Sequence, residues 1–186
     1  MGSVRIFVAG ASGVIGRELL PMLAGHDVVG MTRSRPELAR ELGAEPAVVD
    51  VYERDAVFAA VGAARPDVVV DLLTDLAGGD FPANNRIRRE GTPNLVDAAV
   101  AAGARRIVME SISFGVPPDA AAARDEMERL ARESGLETVI VHLARLWGPG
   151  TWNDAPGGDG EYVSVRDAAR MVRDAILGAS PGPDLR

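Results

Sequence analysis

Short, nearly unbroken apolar runs alternate with amphipathic stretches along the whole chain. The runs are Val4–Ala9, Asp27–Thr32, Ala47–Asp50, Asp67–Leu73, Arg106–Glu110 and Thr138–Leu143. They are rich in Val, Ile and Leu and lack the strict alternation of a half-exposed strand. That pattern predicts parallel strands buried on both faces. Between them, apolar positions recur every three to four residues. This spacing predicts helices over Gly13–Ala24, Pro36–Leu42, Glu53–Ala64, Ala83–Ala102, Asp119–Glu133 and Arg166–Leu177. Gly25, Gly43, Gly103, Gly135 and Gly178 fall just past these segments, where helices stop. Pro21 lies inside the first helix, at a bend or where its missing N–H is tolerable.

Strand–helix alternation of this kind predicts an α/β fold, a doubly wound parallel sheet in three layers with right-handed crossovers. No repeat and no linker divides the chain. The expectation is one domain over residues 1–180 and a flexible tail over 181–186. The stretch "GPGTWNDAPGGDGEY" is rich in turn formers and reads as a loop.

Composition narrows the chemistry. The formal net charge of −7 argues against a nucleic-acid partner. Cysteine is absent, which excludes disulfides, thiolate metal sites and a thiol nucleophile. Two distant histidines make no metal cluster, so no metal is expected. No segment is apolar enough to span a bilayer, and "VRIFVAG" is too short for a signal peptide. A cytoplasmic protein without a membrane partner is the expectation.

The stretch "VAGASGVIGRELLPML" places Gly10, Gly13 and Gly16 between a strand and a helix. A phosphate-binding turn needs small residues there. A side chain at Gly10 hinders the turn, one at Gly13 holds a pyrophosphate off the helix N-terminus, and one at Gly16 pushes the helix off the strand. A second strand ends about 20 residues later, the context a Rossmann-like dinucleotide site requires.

The spacing G-x-x-G-x-x-G resembles the extended and atypical branches of the short-chain dehydrogenase/reductase superfamily, the group containing nucleotide-sugar epimerases and dehydratases. The resemblance continues through "VVGMTRSRP", "VVDVYERDAV", "PDVVVDLLTD", "REGTPNLVDAAVAAGARRIVMESIS", "GLETVIVHLARLWGPG" and "EYVSVRDAARMV", in the family's order, from about residue 4 to 178. It implies a cofactor surface made of Gly10, Ser12, Gly13, Val14, Ile15 and Gly16. Thr32, Arg33 and Ser34 follow at the second strand's exit, Asp50 and Val51 at the third, and Leu72, Leu73 and Thr74 at the fourth. An acid at the second exit would favour NAD; this chain has arginine, which pairs with a 2′-phosphate bidentately. NADP(H) is therefore expected over NAD(H). By the same resemblance, the Ala83–Ala102 and Asp119–Glu133 helices pack against a twin subunit in a homodimer.

Two features break the family pattern. Its reductases use a Tyr-x-x-x-Lys pair beside a strand-end serine. Ser111 and Ser113 supply the serine, but by spacing the tyrosine position is Ala120 and the lysine position Arg124. Arg124 could bind ribose or phosphate; it is no readily deprotonated base. The chain also lacks most of the substrate domain, since only about a dozen residues separate "GPG" from "EYVSVRD".

The remaining candidates for chemistry sit at strand ends, where open parallel sheets bind ligands. They are Asp71, Glu110, Ser111 and His142, with Arg124 on the helix. Buried carboxyls have raised pKa values and exchange protons near neutrality. The plainer roles are a turn cap or ion pair for Asp71 and Glu110 and a hydrogen-bonded structural histidine for His142. Arg86, Arg88 and Arg89 could meet an anion, or form a solvated helix face. Three functions stay open: an NADP(H)-dependent oxidoreductase on a small organic molecule; a non-redox cyclase, isomerase or dehydratase; and a non-catalytic NADP(H) sensor.

Overall fold

The computed structural model describes residues 2–76 and 80–178; the 181–186 tail expected to be flexible lies outside them. The main sheet has six parallel strands: β1 (Arg5–Ala9), β2 (Asp27–Thr32), β3 (Glu45–Val48), β4 (Val68–Asp71), β5 (Arg106–Ile112) and β6 (Glu137–Leu143). Their spatial order is β3-β2-β1-β4-β5-β6. The order reverses between β1 and β4, so a crevice opens at their carboxyl ends. The helices are α1 (Val14–Met22), α2 (Pro36–Glu41), α3 (Arg54–Ala64), α4 (Phe81–Arg86), α5 (Thr92–Ala101), α6 (Pro118–Glu133) and α7 (Val165–Leu177).

Strand pleating sorts the core into two faces. Ile6, Val8, Val70 and Val108 pack with Leu19 and Leu20 of α1 and with Val172 and Ile176 of α7. Phe7 and Val69 pack with Val57 and Val61 of α3 and Leu95 of α5. Ile107 and Met109 meet Met127 and Ala131 of α6. Each of the larger side chains, fully withdrawn from water, contributes roughly 1.5–3 kcal/mol. Arg106 ties α7 to the sheet: one guanidinium nitrogen donates to the carbonyls of Ala175 and Ile176 at 2.9 and 3.1 Å, and another meets Glu137 at 2.6 Å.

Two expectations need correction, and the expected loop gains flanking strands. The third strand is Glu45–Val48, not Ala47–Asp50. It is an edge strand, where the missing N–H of Pro46 does no harm. The helix expected over Ala83–Ala102 is interrupted by a π-helical segment, Ile87–Gly91, in which Thr92 N–H reaches back five residues to Ile87 O. Pro93 explains the break, because it has no N–H for the regular bond to Arg89. The loop after β6 is flanked by a second, two-stranded parallel sheet, β7 (Arg145–Trp147) and β8 (Tyr162–Ser164).

Candidate cofactor and substrate site

The turn between β1 and α1 is built for close approach. Gly10 has φ +87°, and a Cβ there would lie 2.8 Å from Leu72 O. A Cβ on Gly16 would sit 2.5 Å from the carbonyl oxygens of both Gly10 and Ala11, so α1 leans directly on the turn. At Gly13 a Cβ would meet Gly10 O at 3.1 Å. Gly13 itself caps α1 without a side-chain bond, leaving first-turn N–H groups for an exogenous acceptor. An anion such as a pyrophosphate fits this cradle.

The β2 exit is ordered around Thr32, which is buried. Its hydroxyl lies 2.9 Å from Ser12 Oγ and accepts from Arg35 N–H at 3.2 Å. Arg33, Ser34 and Arg35 are exposed beyond it. Asp50 Oδ1 accepts from Tyr52 N–H at 3.1 Å, capping the next turn. Val51 is buried and its carbonyl accepts from the Asn94 side chain.

At the strand ends, neighbouring residues part company. Asp71 is buried with both oxygens hydrogen-bonded: Oδ1 accepts from Leu73 N–H at 3.0 Å and Oδ2 from Thr92 Oγ at 2.9 Å. Burial raises its pKa despite those bonds. Glu110 lines the cavity described below. Burial pushes its carboxyl up to about 7; Arg88 pulls it down and Asp71 adds to the rise. Arg88 comes from the π-helical segment and is buried, whereas Arg86 pairs with Glu90 and Arg89 with Asp119 and Glu126.

Ser111 points the other way. It is fully buried and donates to Glu128 Oε1 at 2.6 Å. His142 Nε2 contacts the same oxygen at 2.9 Å, and Arg132 donates to Glu128 Oε2 at 2.8 Å. The expected crevice positions of Ser111 and His142 are thus corrected: both are held by α6. The pleat is the reason, since Glu110 and Ile112 face the cavity and Ser111 between them cannot. Ala120 is buried in α6, and Arg124 pairs with Asp125 at 2.8 Å.

The cavity has a volume of about 600 Å³ and runs from the glycine turn along β4 and β5 to the second sheet. Gly10, Gly13, Val14, Ile15, Gly16, Leu72 and Thr74 line it, so seven of the expected cofactor residues share one space with Glu110. At the far end stand Ile112, Phe114, Arg145, Trp152 and Tyr162. Sequence reading passed over Arg145 and Tyr162 as site residues. Their signal was the "GPG" and "EY" ends of the same loop, which β7–β8 pairing brings together: Arg145 is the register partner of Tyr162. Asn153 pins that loop, its side chain donating to Leu146 O at 3.0 Å.

Residues 10–176 match a family model described as NAD(P)H-binding. A Streptomyces sp protein named 3-diazoavenalumate denitrifying reductase is 38% identical in a match that covers 83% of this chain and 60% of that protein. The chain thus spans about three-fifths of that relative's length. Among solved structures, the Bordetella bronchiseptica enzyme WbmH in complex with NAD+ aligns with a TM-score of 0.79 at 20% identity, over 95% of this chain and 73% of that one. The Thermus thermophilus UDP-glucose 4-epimerase in complex with NAD aligns at 0.76 with 19% identity, over 95% and 75%. At such identities these structures establish the fold.

Proposed function

The chain belongs to the NAD(P)H-binding family, and on that premise we propose that it is an NADP(H)-dependent reductase of a small, largely apolar substrate. One observation carries this reading. The glycine cradle and the apolar pocket beside Glu110 are one continuous cavity, so a dinucleotide held at the first opens onto a substrate held in the second. Gly10, Gly13 and Gly16 would admit the pyrophosphate to the α1 N-terminus. Thr32, Ser34 and Arg33 would meet the adenosine end, with Arg33 free in solvent to pair with a 2′-phosphate. When bound, the reduced cofactor supplies a hydride.

The residues on the protein side suit an acceptor that hydride alone completes. The family's tyrosine position is Ala120, and no lysine could assist it, since every one of the 20 basic residues is arginine. A carbonyl needs a proton at oxygen as well as hydride at carbon. An arenediazonium-type group does not: hydride adds to its terminal nitrogen, the carbon–nitrogen bond of the resulting diazene breaks, dinitrogen leaves, and the diazene hydrogen stays on carbon. The 3-diazoavenalumate denitrifying reductase provides the precedent for a diazo acceptor on a similar sequence. Where an acceptor does need a proton, Glu110 is the half-buried carboxyl that lines the cavity.

The same reading makes the protein a homodimer through α5 and α6, where Val100 is 45% exposed. The test of function is anaerobic incubation with 4-diazobenzoate and NADPH deuterated at nicotinamide C4. Deuterated benzoate formed faster than in protein-free buffer supports the reading. A protein that binds NADPH yet leaves that rate at background contradicts it.

A further inference from the structure

The far end of the cavity is built differently from the glycine end. Arg145 on β7 places its guanidinium over the Phe114 ring, 4.8 Å from the centroid. Gly160 is close by: a Cβ there would come within 2.8 Å of an Arg145 Nη and 3.3 Å of the Tyr162 ring. The guanidinium is thus stacked on an aromatic face and closely approached by bare backbone, with Tyr162 nearby. Among the described residues no carboxylate lies within ion-pairing distance of it, although 13 such pairs occur elsewhere. An arginine that faces a cavity, stacked and without a counter-ion, is a fork awaiting a planar acceptor.

The surroundings define that acceptor. Ile112, Leu146 and Trp152 supply apolar walls, and Trp152 is 63% exposed at the cavity margin. Flat apolar surface next to one guanidinium and one phenol hydroxyl suits a single planar anion on an aromatic body. A phosphate dianion would call for more donors than this pair offers; the backbone N–H groups that provide them are at the glycine end.

We propose that Arg145 and Tyr162 form a carboxylate subsite, and that the substrate is an aryl carboxylate whose ring lies against Phe114 and Trp152. The inference rests on the reductase reading for the cofactor at the other end of the cavity. It explains the two-stranded sheet: pairing β7 with β8 brings the guanidinium and the phenol to one wall. It also explains Gly160, because any larger residue would displace the fork.

The probe is E-cinnamate against its primary amide, cinnamamide, which matches it in shape and lacks the charge. Binding is measured by calorimetry on the intact protein with NADP+ present, and NADPH binding is followed separately by nicotinamide fluorescence. Wild type is expected to favour cinnamate by about tenfold or more, the range of one charge-assisted fork. Arg145→Gln is expected to bind the two alike, Arg145→Lys to recover part of the preference, and Tyr162→Phe to lose a few-fold, with NADPH affinity unchanged throughout. Equal affinity of wild type for both probes, no binding of either, or a preference that survives Arg145→Gln overturns the subsite. The wild-type comparison decides even if a variant does not fold. Loss of NADPH binding by wild type would instead strike at the reductase reading.

Discussion

Glu110 and Ser111 are adjacent, and one peptide unit decides their chemistry. Glu110 keeps a proton to about pH 7 because burial costs more than Arg88 returns. An unfolded glutamate loses that proton near 4.5. Between those values the native state holds the extra proton, so wild-type stability falls as pH rises from 4.5 to 7. Glu110→Gln removes this penalty. The variant should exceed wild type by up to about 3 kcal/mol at pH 8, with the gap closing toward pH 4.5. Urea midpoints at pH 5 and pH 8 check this; a pH-independent difference would refute it. Ser111 answers to Glu128 instead. Glu128→Ala strands the buried hydroxyl and should cost about 1–3 kcal/mol, while leaving NADPH affinity unchanged. A large loss of NADPH binding in that variant would contradict the assignment of Ser111 to the α6 side. The acids at the strand ends were visible in the sequence because polar residues closing apolar runs stand out. Which way each points was not, because the apolar run stops at Glu110 whereas the strand continues to Ile112, and those two further residues fix the pleat.

At the scale of elements, the apolar runs marked all six main strands, the edge strand β3 two residues late, since burial on both faces leaves the inner strands nearly free of charge. The elements that escaped notice are those where local pattern and tertiary need differ. The π-helical turn depends on a single proline in an otherwise helical stretch, and it delivers Arg88 and Thr92 to the strand ends. The β7–β8 sheet has three residues a side, too short for any periodicity, and exists because the ends of a loop meet over the cavity. Arg106 is a further case: from sequence it opens a strand, yet it holds the last carbonyls of α7. Arg106→Met should loosen that helix end, costing about 1–3 kcal/mol. Hydrogen exchange should quicken in α7 before it does in β1 or β4. Uniform exchange across the protein would show that Arg106 plays no such anchoring part.

For the whole molecule, the glycine turn and the strand order place the cradle, and the proposed subsite stands on the far wall. A parallel sheet reversing between β1 and β4 leaves one crevice, and the cradle lies inside it. The twin-subunit reading predicts a mass of twice 19.5 kDa in solution by sedimentation, reduced by Val100→Glu on α5. The central claim is that this crevice binds NADP(H), with Arg33 choosing the phosphorylated form. Its most direct test is a fluorescence titration of NADPH and NADH into wild type and Arg33→Ala. The account predicts NADPH tighter than NADH by about tenfold in wild type, a charge-assisted pair's worth, and near-equal binding once Arg33 is removed. Equal, weak binding of both nucleotides in both proteins would contradict it.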